Sequence, residues 1–537
     1  MSDHSGRLVP LITAEQAFPA MEALVLAARQ RLDLALHIFS PRTKTRSVDA
    51  HDRRLTDWGA LLADALSRGV RVRFLLNDFD PVGAPDMHAA VWERIRHLEN
   101  AVADLDDDLK DNLHMLVAHP GGQSGALLRT LVWPMARRQQ RHAVRAFQAK
   151  GRTLPPGLAE GANAAFWPPR RNFTQTLHQK FLIADGERAI LGGLDIDERR
   201  YDDPDHRRSA PETWHDVSVE IVGPAVARLA AHFQTCWTRV QTQGHSHAPA
   251  FMRAHPAQSI RFVPAAPAGA HGHDGAQQHD AGAVEVATTM SKPGWHPLRY
   301  GPRADVRDLE AAHLELFEQA RHFVYLETQF FRSSATRDGL VAALGKRPDL
   351  HAIVLLPGAP DIIAYEGDDS GVHRYGEWLQ MRALNRLTRL FPDRFAAFSL
   401  TNDLAREEAI ERDALHNKSM VYVHSKVAVA DDAAAIVSSA NLNGRSMQWD
   451  VEAGIVARDA DFAGTLREQL WRAHLGGEAA TLEPATDPAG TFARWRHHAL
   501  ERSAAGARAK GTGVVPFPLH KTRRFAKRHL FIPEQMV

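Results

Sequence analysis

At 537 residues the chain is too long for one hydrophobic core of ordinary size, so two domains of roughly 150–250 residues are expected. Its 65 basic and 64 acidic residues leave a formal charge of +1, so bulk charge supplies no reason to expect nucleic acid as a partner. The one cysteine, Cys236, excludes an internal disulfide framework and reads as a buried, inert thiol in a helix-like run.

The start of the chain lacks the basic, apolar and small-residue succession of a secretory signal, its first apolar residues being broken by Glu15, Glu22 and Arg29. No uncharged apolar run reaches the length of about 18 residues that a membrane-spanning helix needs. The expected location is the cytoplasm or the periphery of a membrane, with signal-independent secretion left open.

In chain order, residues 14–31 have helical spacing and lead into an apolar strand over 32–39. Residues 58–67 are helical again, Gly69 stops them, and 70–76 make a second strand. An insertion over 87–150 reads as helical, with Leu98, Val102, Leu105 and Leu109 at helical spacing. The stretch 243–283 is rich in Ala, Pro, Gly and His and reads as a linker. Its isolated H-x-H pairs, with no cysteine or helical H-E-x-x-H beside them, read as solvated residues rather than a metal site. A helix over 306–320, a strand over 322–325, a helix over 339–344 and a strand over 351–356 then repeat the plan of the first half, and a second helical insertion covers 372–390. Either insertion could shape a substrate entrance or pack as ordinary helix. Strands alternating with helices argue for an α/β layer in each half. The expected division is a first domain over 1–242, the linker 243–283, a second domain over 284–480 and a basic tail over 481–537.

The chemistry sits in a repeated H-x-K-x-x-x-x-D pattern: His178, Lys180 and Asp185, then His424, Lys426 and Asp431. Residues two apart on a strand point to one face, so each copy sets an imidazole beside an ammonium. The apolar residues between Lys and Asp suit a buried strand, and Asp185-Gly186 and Asp431-Asp432 turn out of it. After each turn a second strand ends in small residues, Gly192-Gly193 or Ser438-Ser439. Asp195 and Asn441 each lie seventeen residues beyond their histidine. Gly193 would let a phosphate oxygen approach the backbone, and Ser439 and Asn441 would donate to it. Farther on, Asp216 and Glu452 bring back carboxylates able to fix a histidine tautomer and raise its basicity.

These residues resemble the phospholipase D superfamily, and more narrowly its lipid-hydrolysing branch. The resemblance is carried by both H-x-K motifs and by the segments Gly192-Gly193-Leu194-Asp195-Ile196, Arg199-Arg200-Tyr201-Asp202, Trp214-His215-Asp216-Val217, Val324-Tyr325-Leu326-Glu327-Thr328-Gln329-Phe330-Phe331 and Ser438-Ser439-Ala440-Asn441-Leu442-Asn443-Gly444-Arg445-Ser446. It runs from about residue 18 to 475 and leaves the insertions and the C-terminal segment uncovered. Thr328 stands where Asn is usual and Ser438 where Gly is usual.

The resemblance implies a duplicated phospholipase D-like fold, two mixed β-sheet domains flanked by helices that form one pseudo-two-fold active site. It implies a phosphohistidine intermediate, with His178 as nucleophile and His424 as acid and base, in the usual order of the family. Lys180 and Lys426, helped by Asn441 and Ser439, would hold the phosphate oxygens, and Asp216 and Glu452 would orient the histidines. Asp185, Asp195, Asp431, Gly193, Glu327 and Gln329 would bind substrate or support the site. No metal and no cofactor are expected. The expected reaction is headgroup hydrolysis of glycerophospholipids to phosphatidic acid, with transphosphatidylation open to any alcohol that reaches the intermediate. A cardiolipin synthase-like phosphatidyltransferase, a nuclease-type phosphodiesterase, a secreted lipase effector and a catalytically dead scaffold are the alternatives. Neither half has lost a motif His or Lys, which counts against the last. The expected partner is a phospholipid surface, met by the mixed basic and apolar residues 514–537, with one chain sufficient for activity.

Overall fold

The computed structural model describes residues 6–162, 172–247, 284–407 and 412–537. Its first sheet contains β1 (Arg7–Ile12), β2 (Arg31–Leu36), β3 (Arg71–Asn77), β4 (Leu113–His119), β5 (Phe181–Ala184), β6 (Arg188–Gly192), β7 (Val217–Val222) and β8 (His245–His247), in the spatial order β1-β7-β6-β5-β2-β3-β4-β8. The second contains β9 (Val284–Lys292), β10 (Arg303–Arg307), β11 (Phe323–Glu327), β12 (His351–Leu355), β13 (Phe395–Ala405), β14 (Ala414–Leu415), β15 (Lys418–Val421), β16 (Val427–Ala430), β17 (Ala434–Ser438), β18 (Glu452–Ala457) and β19 (Gly513–Pro516). Its central order, β9-β18-β17-β16-β11-β12-β13, reproduces β1-β7-β6-β5-β2-β3-β4 strand for strand. In each sheet three neighbouring strands run parallel and the rest antiparallel, β2-β3-β4 matching β11-β12-β13. The chain is therefore a duplicated α/β fold with two mixed sheets flanked by helices.

Local sequence accounts for most boundaries. Asp57 caps the helix Trp58–Ser67 by accepting from the Ala60 N–H at 2.9 Å, and Gly69 at φ +80° ends it. Asp185 and Asp431 take left-handed φ of 53° and 55°, the conformation their turns need. One apolar cluster draws Phe181, Leu191 and Val219 from the first sheet and Tyr325, Val427 and Ile455 from the second, so the halves share a core.

Three sequence expectations change. The insertion 87–150 is not helical throughout. It contains β4, which pairs parallel with β3, because the Leu113-to-His119 run buries Leu113, Met115 and Val117 on one side at strand spacing. Of the expected linker, residues 245–247 form β8 on the edge of the first sheet, and 248–283 lie outside the described residues. Residues 481–537 are not an appended tail. Trp495 and Val514 are fully buried, and β19 pairs antiparallel with β13. Among the described residues no helix is long and apolar enough to cross a membrane.

Candidate active site

Each motif histidine precedes the strand that opens its signature, and a strand entry of the opposite half holds it in place. Leu177 forms a parallel bridge with Val451, and His215 forms one with Val423. The His178 N–H donates to the Val451 carbonyl at 2.9 Å, and the His424 N–H donates to the His215 carbonyl at 2.8 Å. The residue after each bridging position is a carboxylate, so the carboxylates cross over. Glu452 of the second half meets His178 Nδ1 at 2.9 Å, and Asp216 of the first half meets His424 Nδ1 at 2.6 Å. Registers agree: the Gly193 N–H binds the Val217 carbonyl just as the Ser439 N–H binds that of Ala453, which makes Asp216 and Glu452 equivalent positions.

With Nδ1 facing a carboxylate, Nε2 is the nitrogen each ring leaves for a substrate. Burial, then the positive charges of Lys180, Lys426 and Arg445, hold His178 well below the ordinary imidazole value of 6.5. Burial, then Lys426, Arg200 and Lys180, do the same to His424. Glu452 is pushed up to about 7 by burial, with Lys180 opposing, and burial also raises Asp216. Lys426 is pulled down to about 7 by burial despite the nearby Asp216. Both ammonium groups donate to the carbonyl of their own motif histidine, Lys180 at 2.5 Å. Lys180 also stands 3.7 Å from Asp195.

The remaining expected residues divide by contact. Asp185 accepts the backbone N–H groups of Arg29, Gln30 and Arg31 at 2.8–2.9 Å. Asp431 accepts those of Arg321, His322 and Phe323. Both therefore fasten the start of the central strand of their sheet and stand away from the histidines. Asp195 binds the His37 and Ile38 N–H groups at 3.0 and 2.8 Å, and its equivalent Asn441 donates to Gln329 Oε1 at 3.2 Å. Ser439, expected to face phosphate, instead gives its hydroxyl to Glu452 at 2.6 Å and so positions that carboxylate. Glu327 is a buried hub accepting from His215 and His474 at 2.9 and 2.8 Å, Tyr325 at 2.6 Å, and Ser425. His215, Glu327 and His474 form the one grouping of potential metal ligands among the described residues. Nitrogen–oxygen separations of 2.8–2.9 Å are those of hydrogen bonds. Ligands each about 2.0–2.2 Å from a tetrahedral ion stand farther apart than that.

Gly193 is required by its neighbour rather than by a ligand. A Cβ there would lie 2.1 Å from Asp216 Oδ1. Gly193→Ala is expected to displace Asp216, lowering turnover by about 100-fold and stability by about 1–3 kcal/mol. Steady-state kinetics and thermal melts of one preparation check both.

Two residues in the cleft were not singled out as site residues from the sequence. His37 packs edge-on against His178 with ring centroids 4.8 Å apart, its Nδ1 donating to the Leu177 carbonyl at 3.0 Å. Arg200 lies 3.6 Å over the Trp214 ring and adds a third cation near His424 and Lys426. A lone strand-end histidine and one arginine of a doublet carry no spacing signal, so only the fold brings them in.

Two sheets of matching order with two crossed His–carboxylate pairs at one junction accord with what comparison with known proteins finds. Residues 314–473 match a family model described as "Cardiolipin synthase, PLD-like domain". Phospholipase D1 of Schizosaccharomyces pombe is 24% identical over 415 residues, 60% of this chain and 28% of that protein. Phospholipase D zeta 1 of Arabidopsis thaliana is 30% identical over 223 residues, 34% of this chain and 20% of that protein. The chain belongs to the phospholipase D superfamily. It spans less than a third of the length of these curated relatives. Among solved structures of similar fold is a phosphatidylserine synthase of Haemophilus influenzae Rd KW20. That structure is 12% identical with a TM-score of 0.50, covering 94% of this chain and 96% of that one.

Proposed function

We propose that the protein is a phospholipase D-type phosphodiesterase that hydrolyses the headgroup ester of glycerophospholipids to phosphatidic acid, with the site built between domains 1–242 and 284–480. The observation that carries this is the pair of crossed His–carboxylate contacts, which offers two poised imidazoles and two lysines to one phosphodiester. The relatives' names supply the lipid.

In this mechanism His178, the more open imidazole at 16% side-chain exposure against 8% for His424, is the nucleophile. Its Nε2 attacks phosphorus while the bond to the headgroup oxygen breaks and His424 Nε2–H protonates that oxygen. Lys180 and Lys426, with Arg200, neutralise the charge gathering on the non-bridging oxygens. Neutral His424 then takes a proton from water, which attacks the phosphohistidine, releasing phosphatidic acid and restoring His178. An alcohol in place of water gives phosphatidyl transfer, the reading that the cardiolipin synthase-type match favours.

The test is release of choline, ethanolamine and glycerol from defined vesicles with EDTA present, with and without a primary alcohol. Phosphatidic acid with EDTA-indifferent headgroup release is expected, and a phosphatidyl-alcohol in its place would assign the transferase. No product from any lipid would remove the lipid claim. The depressed imidazoles also set the pH profile. The nucleophile is active unprotonated, so its acid limb in kcat/KM falls below 6.5. His424 acts protonated and is also held well below 6.5, so the alkaline limb sets in below that value, ahead of the loss of charge on Lys426 at about 7. An acid limb at or above 6.5 in kcat/KM on a soluble diester would refute the electrostatic account.

A further inference from the structure

We propose, resting on the phospholipid reading above, that one continuous face beside the active site docks the protein on an anionic phospholipid bilayer. The face is made of the insertion helix Ala126–Ala149, residues 293–303 and the tip of the C-terminal segment. Leu127, Leu131 and Met135 stand one turn apart on the helix and are 46%, 65% and 62% exposed. Trp295 is 83% exposed, and Leu530 and Phe531 are each 74% exposed. A folded chain gains nothing from these side chains in water.

Backbone contacts join the first two pieces, and a shared cavity brings the third alongside. The Gly125 N–H donates to the Arg299 carbonyl at 2.7 Å, and the Leu127 N–H donates to that of Pro297 at 3.0 Å. Tyr300 and Gly301 then share a cavity of about 500 Å³ with Gln448, Trp449, Pro533 and Gln535. Trp449 lies two residues before Val451, whose carbonyl holds the His178 N–H, so the face adjoins the candidate site.

Charge selects the occupant. Residues 120–153, 293–303 and 518–533 carry fourteen Lys and Arg and no Asp or Glu, in a chain whose totals nearly cancel. A groove of about 500 Å³ continues from Met135 along Arg138, His142, Lys150 and Arg152, with Asp86 its one acidic lining residue. Protruding apolar side chains ringed by cations suit the boundary between acyl chains and anionic headgroups. A second copy of this chain would set the same basic face against itself. A nucleic-acid backbone would leave the leucines and Met135 without a partner.

The C-terminal segment contributes less than its composition suggests. Phe517 is buried, and Phe525 lies under Arg374 and Arg412 at 5.2 and 5.7 Å, so only the tip around Leu530 and Phe531 is free to insert.

The test compares full-length protein with the triple variant Leu131→Ser/Met135→Ser/Phe531→Ser and with Arg138→Glu/Arg141→Glu. Binding is read by co-sedimentation with phosphatidylcholine vesicles with and without phosphatidylglycerol, in a His178→Ala background. Rates are read on vesicles and on short-chain phosphatidylcholine dissolved as monomers. Wild-type protein should sediment with the mixed vesicles and far less with phosphatidylcholine alone, and each variant should bind about tenfold more weakly or worse. Vesicle turnover should fall in proportion while the rate on monomeric lipid stays unchanged. Variants that sediment like wild type would overturn the proposal. So would an equal loss on monomeric lipid, or loss of a concentration-dependent oligomer on analytical ultracentrifugation. Binding as expected with no lipid turned over would strike the phospholipase reading alone, and turnover indifferent to the face would strike the docking face alone.

Discussion

Replacing either His178 or His424 by alanine is expected to lower turnover by about 10⁴-fold or more, with the double variant no worse than the single ones. One half keeps a full His–Lys motif in such a variant, so two independent sites would leave about half the activity. One shared site leaves almost none, because a nucleophile without its acid, or an acid without its nucleophile, completes no cycle. Rapid-quench measurement of headgroup release checks the magnitude, and a thermal melt checks that the variants fold. Loss by half for each single variant, with complete loss only in the double, would refute the shared site.

The two carboxylates are expected to fail in different steps, each in the step of the histidine it touches. Glu452→Gln removes the charge facing His178 Nδ1, and Asp216→Asn removes the one facing His424 Nδ1. Loss of the orienting charge misdirects the imidazole tautomer, so each variant should lose about 10²–10⁴-fold on a natural lipid. On a p-nitrophenyl diester the leaving oxygen needs no proton. The first-step defect of Asp216→Asn and His424→Ala should then largely disappear, while that of Glu452→Gln and His178→Ala persists. The burst of nitrophenolate at high enzyme concentration reads this directly. Rescue of Glu452→Gln and His178→Ala instead would exchange the roles of the two histidines, and rescue of neither pair would remove the acid–nucleophile division.

How much of this was legible beforehand differs by residue. The helix 58–67 and the strand near 70–76 follow from capping, Gly69 and apolar spacing, which are local. The strand β4 was hidden because it sits between two long helices, and its pairing with β3 comes from a distant part of the chain. The turns at Asp185 and Asp431 are legible because an aspartate after an apolar strand is a local signal, whereas the backbone N–H groups each carboxylate accepts come from a distant part of the chain. For Ser439, spacing places a hydroxyl near a site without saying which oxygen it reaches. Only the folded arrangement turns it to Glu452.

The sequence by itself determined that the unit is duplicated, that each copy carries a histidine and a lysine two residues apart, and that a carboxylate, Asp216 or Glu452, follows in each half. Strand periodicity and motif spacing act over a few residues, which is why these features survive in one dimension. Tertiary structure alone decided that the carboxylates cross between halves, that His37 and Arg200 stand near the motif histidines, and that the apolar stripe beginning at Leu127 is exposed among the described residues. Each of these depends on which strand entry meets which across the shared core. That packing, set by the bridges of Leu177 with Val451 and of His215 with Val423, has no counterpart in local spacing.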